Sequence, residues 1–324
     1  MSDTDGSLKV LSVVGAGRSG TTVLASILGE VEGFASAGEL RWLWERGVRA
    51  ERPCGCGQIP TLCAVWSPVT TRTLATLEAS TPPRSVGDII DSQHELARRH
   101  NLLRVLRSVD GSHDDWEALQ LVRAVTASAC TTFSQVTGSR VVVDTSKRPV
   151  DAAVFAGLEE VDHYVLHIVR DPRAVVHSWR RAKTFTTSGQ TRTMGTRSLV
   201  STVRRWTGNC LTAEALRRRL PRSRWLHMRY EDFASDPRSS VEKILSFMGE
   251  NGRAPFAGDH TVLLGPNHIV AGNPSRFSTG QVTIRADDEW RRKMPRRHRW
   301  VVDLMTMPLM LRYGYAGRQF RPHA

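Results

Sequence analysis

Residues 9–14 form a short apolar run that passes directly into Gly15-Ala16-Gly17-Arg18-Ser19-Gly20-Thr21-Thr22. A helical pattern over residues 23–28 follows and closes near Gly29. Strand, glycine loop and helix in this order aim backbone N–H groups and a helix N-terminus at one point, which favours an anion. Gly15 and Gly20 have the spacing of the phosphate loop G-x-x-x-x-G-K-[ST], but Thr21 stands where the lysine would be. The cation sits three residues earlier, at Arg18. A phosphate-bearing ligand is expected, with its charge placed differently from that of a magnesium nucleotide.

The rest of the chain extends the pattern. Residues 140–143, 164–169 and 225–228 read as further strands. The first ends at Asp144-Thr145-Ser146-Lys147. The second is followed by Asp171-Pro172, an N-cap with proline at the first helical position, and a helix to about residue 183. Asp236-Pro237 starts another helix, which Gly249 ends. Strands alternating with helices predict an α/β fold with right-handed crossovers and ligands at the carboxyl ends of the strands. Residues 45–135 depart from this pattern. They open with a Cys/Gly/Pro loop, and Trp116, Leu119, Val122, Val125, Ala129 and Phe133 follow at helical steps. The expected architecture is one domain over residues 1–324. It holds a P-loop-like parallel β-sheet flanked by helices, with a mostly helical insertion at roughly 45–135.

Gly17-Arg18-Ser19-Gly20-Thr21-Thr22 resembles the 5′-phosphosulfate loop of sulfotransferases that use 3′-phosphoadenosine 5′-phosphosulfate (PAPS). It is most similar to the tyrosylprotein and bacterial carbohydrate-type branches, which carry arginine where cytosolic members carry lysine. Such a donor needs a second site for its 3′-phosphate. Arg170-Asp171-Pro172-Arg173-Ala174-Val175-Val176-His177-Ser178 resembles the family's motif for that phosphate, with an arginine at a strand end and a serine eight residues on. An arginine fork gives charge-assisted bonds to phosphate. Eight residues of helix bring the serine about 80° past two full turns. Met228-Arg229-Tyr230-Glu231-Asp232-Phe233 is similar to a later stretch of the family that sets Tyr230 near the nucleotide. Asn267-His268 and Gly272-Asn273-Pro274-Ser275-Arg276-Phe277 look like the closing loop of bacterial members, with Arg276 toward the donor.

The resemblance implies PAPS as donor and a hydroxyl or amine of a small-molecule, carbohydrate or lipid acceptor. In-line displacement at sulfur would release adenosine 3′,5′-bisphosphate, with no metal required. A base must take the acceptor proton, and cations must meet charge on the leaving group. Glu39, in Ala37-Gly38-Glu39-Leu40, resembles the Gly-Glu pair that supplies the base in tyrosylprotein sulfotransferases. His268 is the competing base, because imidazole titrates near neutrality. Arg18 and Lys147 are the candidates for leaving-group stabilisation.

Cys54, Cys56 and Cys63 cluster, while Cys130 and Cys210 stand alone. Three thiols in one loop could ligate zinc with a fourth ligand, but no C-x-x-C pair or neighbouring histidine accompanies them. A disulfide within the cluster is a further alternative, and plain reduced thiols are the leading expectation, with no metal site. An odd cysteine count and a polar N-terminus without an apolar leader predict a cytoplasmic protein. The net charge of +13 predicts an anionic partner. Residues 285–324 carry 10 Lys/Arg against 4 Asp/Glu. Nucleic-acid binding is one reading of this cluster, but no nucleic-acid fold motif accompanies it. Contact with an acidic membrane is another, since Trp300, Leu304, Met305, Met307, Leu309, Met310 and Leu311 lie beside the charges. Packing of those apolar residues into the core is the simpler expectation. The rival functions are a P-loop-type phosphotransferase and a basic nucleotide- or nucleic-acid-binding protein.

Overall fold

Three valines in a row, Val141, Val142 and Val143, show how the central sheet is built. They begin β3 (Val141–Lys147), which lies between β1 (Leu8–Val14) and β2 (Phe34–Gly38). Successive strand residues face opposite sides. Val142 packs with Val10 and Ala37 beneath the insertion, whereas Val141 and Val143 pack with Leu11, Val13, Leu24 and Ile27 on the other face. Burial on both faces explains the unbroken apolar runs. The computed structural model describes residues 8–110, 115–187 and 190–316.

β4 (Val161–Val169) pairs with β1 on its other side. β5 (Lys183–Thr187) and β6 (Gln190–Met194) form a separate antiparallel ribbon. β7 (Trp225–Arg229) completes the parallel sheet, whose order is β2-β3-β1-β4-β7. A second ribbon joins β8 (Thr261–Leu264) to β9 (Gly280–Thr283). The connections leaving β1 and β3 run in opposite directions across the sheet. Their carboxyl ends therefore flank the switch point where α/β sheets bind ligands.

α1 (Thr21–Gly29) follows the glycine loop. The insertion holds α2 (Trp66–Glu78), α3 (Val86–Leu96), α4 (Leu102–Arg107) and α5 (Glu117–Thr137). The apolar period read in the sequence is the buried face of α5: Leu119, Val122, Val125, Ala129 and Phe133. Phe133 stacks on Trp66 with ring centroids 4.7 Å apart. Truncating a buried aromatic of this kind costs about 3–5 kcal/mol.

α6 (Pro149–Ala156) follows β3, and α7 (Pro172–Arg180) follows β4. Asp171 caps α7 through its side chain, as Asp-Pro predicted, but the helix stops at Arg180 rather than near residue 183. α8 (Leu199–Arg217) precedes β7, and α9 (Tyr230–Ser235) and α10 (Pro237–Phe247) follow it. α11 (Trp290–Lys293) and α12 (Arg296–Arg312) end the described chain.

Two expectations change. β3 runs on to Lys147, beyond the expected end at residue 143, because the Asp144 carboxylate is satisfied inside the sheet. It accepts from Leu40 N–H at 3.1 Å and from the Ser146 hydroxyl at 2.6 Å. α12 is only half buried. Leu309 and Met310 pack inward, whereas Trp300, Leu304, Met305, Met307 and Leu311 are exposed. Among the described residues, no helix is long and apolar enough to cross a membrane.

Candidate functional site

Gly20 ends the glycine loop in the left-handed region, at φ 75°. A Cβ there would stand 2.7 Å from the Tyr230 ring, so the close approach of loop and ring requires glycine. Arg18 also has φ 75°, a conformation costing an arginine about 1–3 kcal/mol and typical of functional loops. Its guanidinium lies 4.7 Å over the Trp179 ring, which also receives Arg197 at 4.4 Å. Burial, then the nearby charges of Arg170, Arg181 and Arg197, pull the Arg18 pKa down. Ser19 is fully buried, and its hydroxyl has no hydrogen-bond partner among the described residues. A buried unsatisfied hydroxyl costs about 1–3 kcal/mol. An anion in the loop would relieve both the like-charge crowding and the orphaned hydroxyl.

The second phosphate motif meets the first. Arg170 is 4% exposed, and its guanidinium donates to the Arg18 carbonyl at 2.7 Å. It lies 4.4 Å over Tyr230, the ring that closes on Gly20. Asp171 does not neutralise it, because that carboxylate pairs with Arg173 at 2.6 Å. Ser178 is buried on α7. Thr22 reaches the closing loop, accepting from Asn273 N–H at 3.3 Å. Gly17 fits against Trp179, 3.1 Å from where its Cβ would be. Gly17, Arg18, Gly20, Arg170 and Tyr230 thus come together beyond the carboxyl ends of β1 and β4. Ser19, Thr21 and Thr22 are buried beside them.

Glu39 stands at the carboxyl end of β2, a strand not foreseen from the sequence. It begins the short helical turn Leu40–Trp42, but its side chain does not cap that turn. Instead the carboxylate accepts a hydrogen bond and ion pair from Lys147 at the end of β3. The Lys147 carbonyl accepts from Gly15 N–H at 3.0 Å, tying the pair to the glycine loop. Glu39 N–H donates to the Val270 carbonyl at 2.8 Å. Gly38, at φ 77°, would clash there with any side chain, because its Cβ would lie 2.5 Å from the same carbonyl.

His268 and Arg276 both lie on the closing loop, where their contacts differ. His268 turns toward the cysteine loop, its Nδ1 3.1 Å from Cys63 Sγ, and does not join the Glu39–Lys147 pair. Burial lowers its pKa. Arg276 donates to the carbonyls of Gly272 at 3.3 Å and Pro53 at 3.2 Å. Burial pushes its pKa down to about 10 against the charge of Glu39, which raises it. Arg276 therefore feels the charge of Glu39, on a loop that also bonds Thr22 through Asn273. Arg46 and Arg52 line a recess with Arg276 and Gly272. Sequence reasoning missed Trp179, Arg181 and Asp287. The first directly follows Ser178, and its proximity to the motif was the available signal.

A sequence profile described as the Sulfotransferase family matches residues 11–252. Among curated proteins, none matches the chain. The fold is similar to the sulfotransferase domain of the Synechococcus PCC 7002 olefin synthase, at 17% identity and TM-score 0.48, covering 98% of each chain. The sulfotransferase domain from the curacin biosynthetic pathway aligns at 14% identity and TM-score 0.48, over 93% of this chain and 97% of its own. Sulfotransferase STF9 from Mycobacterium avium aligns at 15% identity and TM-score 0.42, over 75% of this chain and 64% of its own. The profile runs from β1, before the glycine loop, through the strand-end arginine and Tyr230 to the end of α10, and on that match the chain belongs to the sulfotransferase family.

Proposed function

We propose that this sulfotransferase takes its sulfuryl group from PAPS and passes it to a hydroxyl or amine of a small-molecule acceptor, leaving adenosine 3′,5′-bisphosphate. The observation that carries the reading is the Arg170 side chain. Its guanidinium reaches the backbone of Arg18, 152 residues away in sequence, at 2.7 Å. Two segments suited to phosphate thus meet, as a donor with phosphates at both ends of its nucleoside requires.

PAPS supplies an activated sulfuryl group on a phosphate that leaves readily. Arg170, with Ser178 and Tyr230, holds the 3′-phosphate end. Gly17, Arg18, Ser19, Gly20, Thr21 and Thr22 hold the 5′ end, with the α1 N-terminus adding fixed positive potential. Glu39 accepts the acceptor proton, and Arg18 and Lys147 meet the negative charge that gathers on the leaving oxygen. The Lys147–Glu39 contact keeps base and cation in register.

The recess of Arg46, Arg52 and Arg276 beside Glu39 favours an acceptor that carries its own negative group, and both glycans and lipids offer such groups. Peripheral contact with an acidic membrane is part of the reading. Trp300, Leu304, Met307 and Leu311 recur at helical steps on α12 and are exposed beside Arg296, Arg297 and Arg299.

Calorimetric titration of wild type and Arg170→Ala with adenosine 3′,5′-bisphosphate, and separately with magnesium ATP, tests the donor. Tight bisphosphate binding, weak ATP binding and a roughly tenfold to hundredfold loss in the variant are expected from one charge-assisted anchor. Preference for ATP, or indifference to Arg170, would favour phosphoryl transfer instead.

A further inference from the structure

No histidine lies near Cys54, Cys56 and Cys63 in sequence, but the fold supplies one. The closing loop carries His268 to the cysteine loop, and the four ligand atoms all lie within 4.8 Å of one another. Cys54 and Cys63 are buried, and Cys56 and His268 are partly so. The Sγ atoms of Cys54 and Cys63 are 3.6 Å apart and those of Cys56 and Cys63 are 3.7 Å apart. Zn–S bonds of about 2.3 Å and Zn–N bonds of about 2.0–2.1 Å in a tetrahedron set the ligand atoms roughly 3.5–3.8 Å apart. Cys54 and Cys56 approach to 2.9 Å, well beyond a disulfide bond of about 2.05 Å. The five cysteines are free.

The surrounding backbone is arranged to hold the four groups together. Gly57 N–H donates to the Cys54 carbonyl and Cys54 N–H to the Gln58 carbonyl, folding the first two thiols into one tight turn. Gly55 N–H donates to the Ile269 carbonyl at 3.0 Å, and a Cβ on Gly55 would stand 1.9 Å from Asn267 Oδ1. Trp66 Nε1 donates to the His268 carbonyl at 2.6 Å. Two loops about two hundred residues apart are thus bonded on both sides of the thiols.

We propose that Cys54, Cys56, Cys63 and His268 Nδ1 bind one zinc ion. Three soft thiolates and an imidazole select zinc over magnesium or calcium. Four protein ligands leave no open position, so the ion is structural. Binding releases the thiol protons. The Arg276 guanidinium, bonded to the carbonyl of Pro53 next to Cys54, offers a balancing charge. The ion staples the insertion to the loop whose Val270 carbonyl receives Glu39 N–H. It therefore fixes the closing loop against Glu39.

The test is the zinc content of the untagged full chain, purified under reducing conditions from zinc-supplemented growth. About one zinc per chain is expected, and Cys63→Ser with His268→Ala should remove it. Because that variant could unfold, wild type is also stripped and refilled with cobalt(II). The intense visible spectrum of tetrahedral thiolate-bound cobalt should appear and be displaced by zinc(II). Absence of zinc from wild type with no such cobalt spectrum overturns the proposal. So does zinc content unaffected by the double variant, or a Cys54–Cys56 disulfide found after rapid alkylation. None of these readouts depends on turnover, so they stand apart from the PAPS reading.

Discussion

Arg170 is held by Asp287 through both backbone and side chain: its guanidinium donates to the Asp287 carbonyl at 2.9 Å and meets the carboxylate at 3.2 Å. Arg181 reaches the same carboxylate at 3.3 Å. One carboxylate thus stands where two guanidiniums converge, in the position proposed for the 3′-phosphate. An incoming phosphate must compete with it. The pair is partly solvated, and such pairs are worth about 0.2–1 kcal/mol. Asp287→Ala is expected to tighten adenosine 3′,5′-bisphosphate binding up to about fivefold in calorimetry. Weaker binding would mean that Asp287 positions Arg170 rather than competing for it.

Glu39→Gln keeps the shape of the side chain and removes the base. The kcat should fall roughly 10²- to 10⁴-fold with the first acceptor that supports turnover. The bisphosphate dissociation constant should stay within a factor of about three, because Glu39 is on the acceptor side. Equal losses in kcat and in donor binding would demote Glu39 to a structural partner of Lys147. His268→Ala is the companion variant: a kcat loss in it that is accompanied by loss of bound zinc follows from the cysteine site, whereas a loss of kcat with the zinc retained would move the base to His268.

The elements that read clearly in the sequence are those whose local pattern matches their burial. β1 and β3 are nearly continuous apolar runs because both faces are covered. Asp171-Pro172 and Asp236-Pro237 announce helices because cap and proline act locally. β2 did not read as a strand. Phe34-Ala35-Ser36-Ala37-Gly38 is short, with small residues and no β-branched one, and its extended form comes from pairing with β3. The same split holds among the candidate site residues. Arg18 and Arg170 follow strands and carry local motifs. The contacts of His268 and Arg276 are made across more than two hundred residues, to Cys63 and Pro53, and no spacing rule reaches that far.

The exposed face of α12 predicts vesicle binding. Sedimentation with vesicles containing phosphatidylserine should carry the protein down at low salt, each nearby Lys/Arg contributing about 1 kcal/mol at the surface. Phosphatidylcholine vesicles should not. Trp300→Glu with Leu304→Glu should release the protein while leaving the bisphosphate dissociation constant unchanged. Binding that survives those substitutions would assign the interaction to another basic patch.

Two buried histidines give the fold an acid-sensitive margin. Burial, then Arg224, pushes the His163 pKa down to about 3, and burial, then His227, does the same to His167. Both lie below the ordinary value near 6.5. The unfolded chain therefore binds more protons than the native one between about pH 6.5 and 3. The stability this confers is complete above about pH 6.5 and is lost on acidification. Asp144 acts in the opposite sense, since burial raises its pKa to about 7. Its native state holds the extra proton, and its contribution falls as pH rises from about 4 to about 7. Two protons against one leave a net loss on acidification, with a slope of about 1.4 kcal/mol per pH unit from these three groups. His167 lies among Trp225, His227 and Tyr313, and neither ring nitrogen has a hydrogen-bond partner among the described residues. His167→Phe should therefore be tolerated at pH 7. It should also flatten the decline in the urea midpoint between about pH 6.5 and 4.5, because one of the two opposing histidine terms is gone. An unchanged slope in the variant would mean that His167 titrates near its ordinary value in the folded protein.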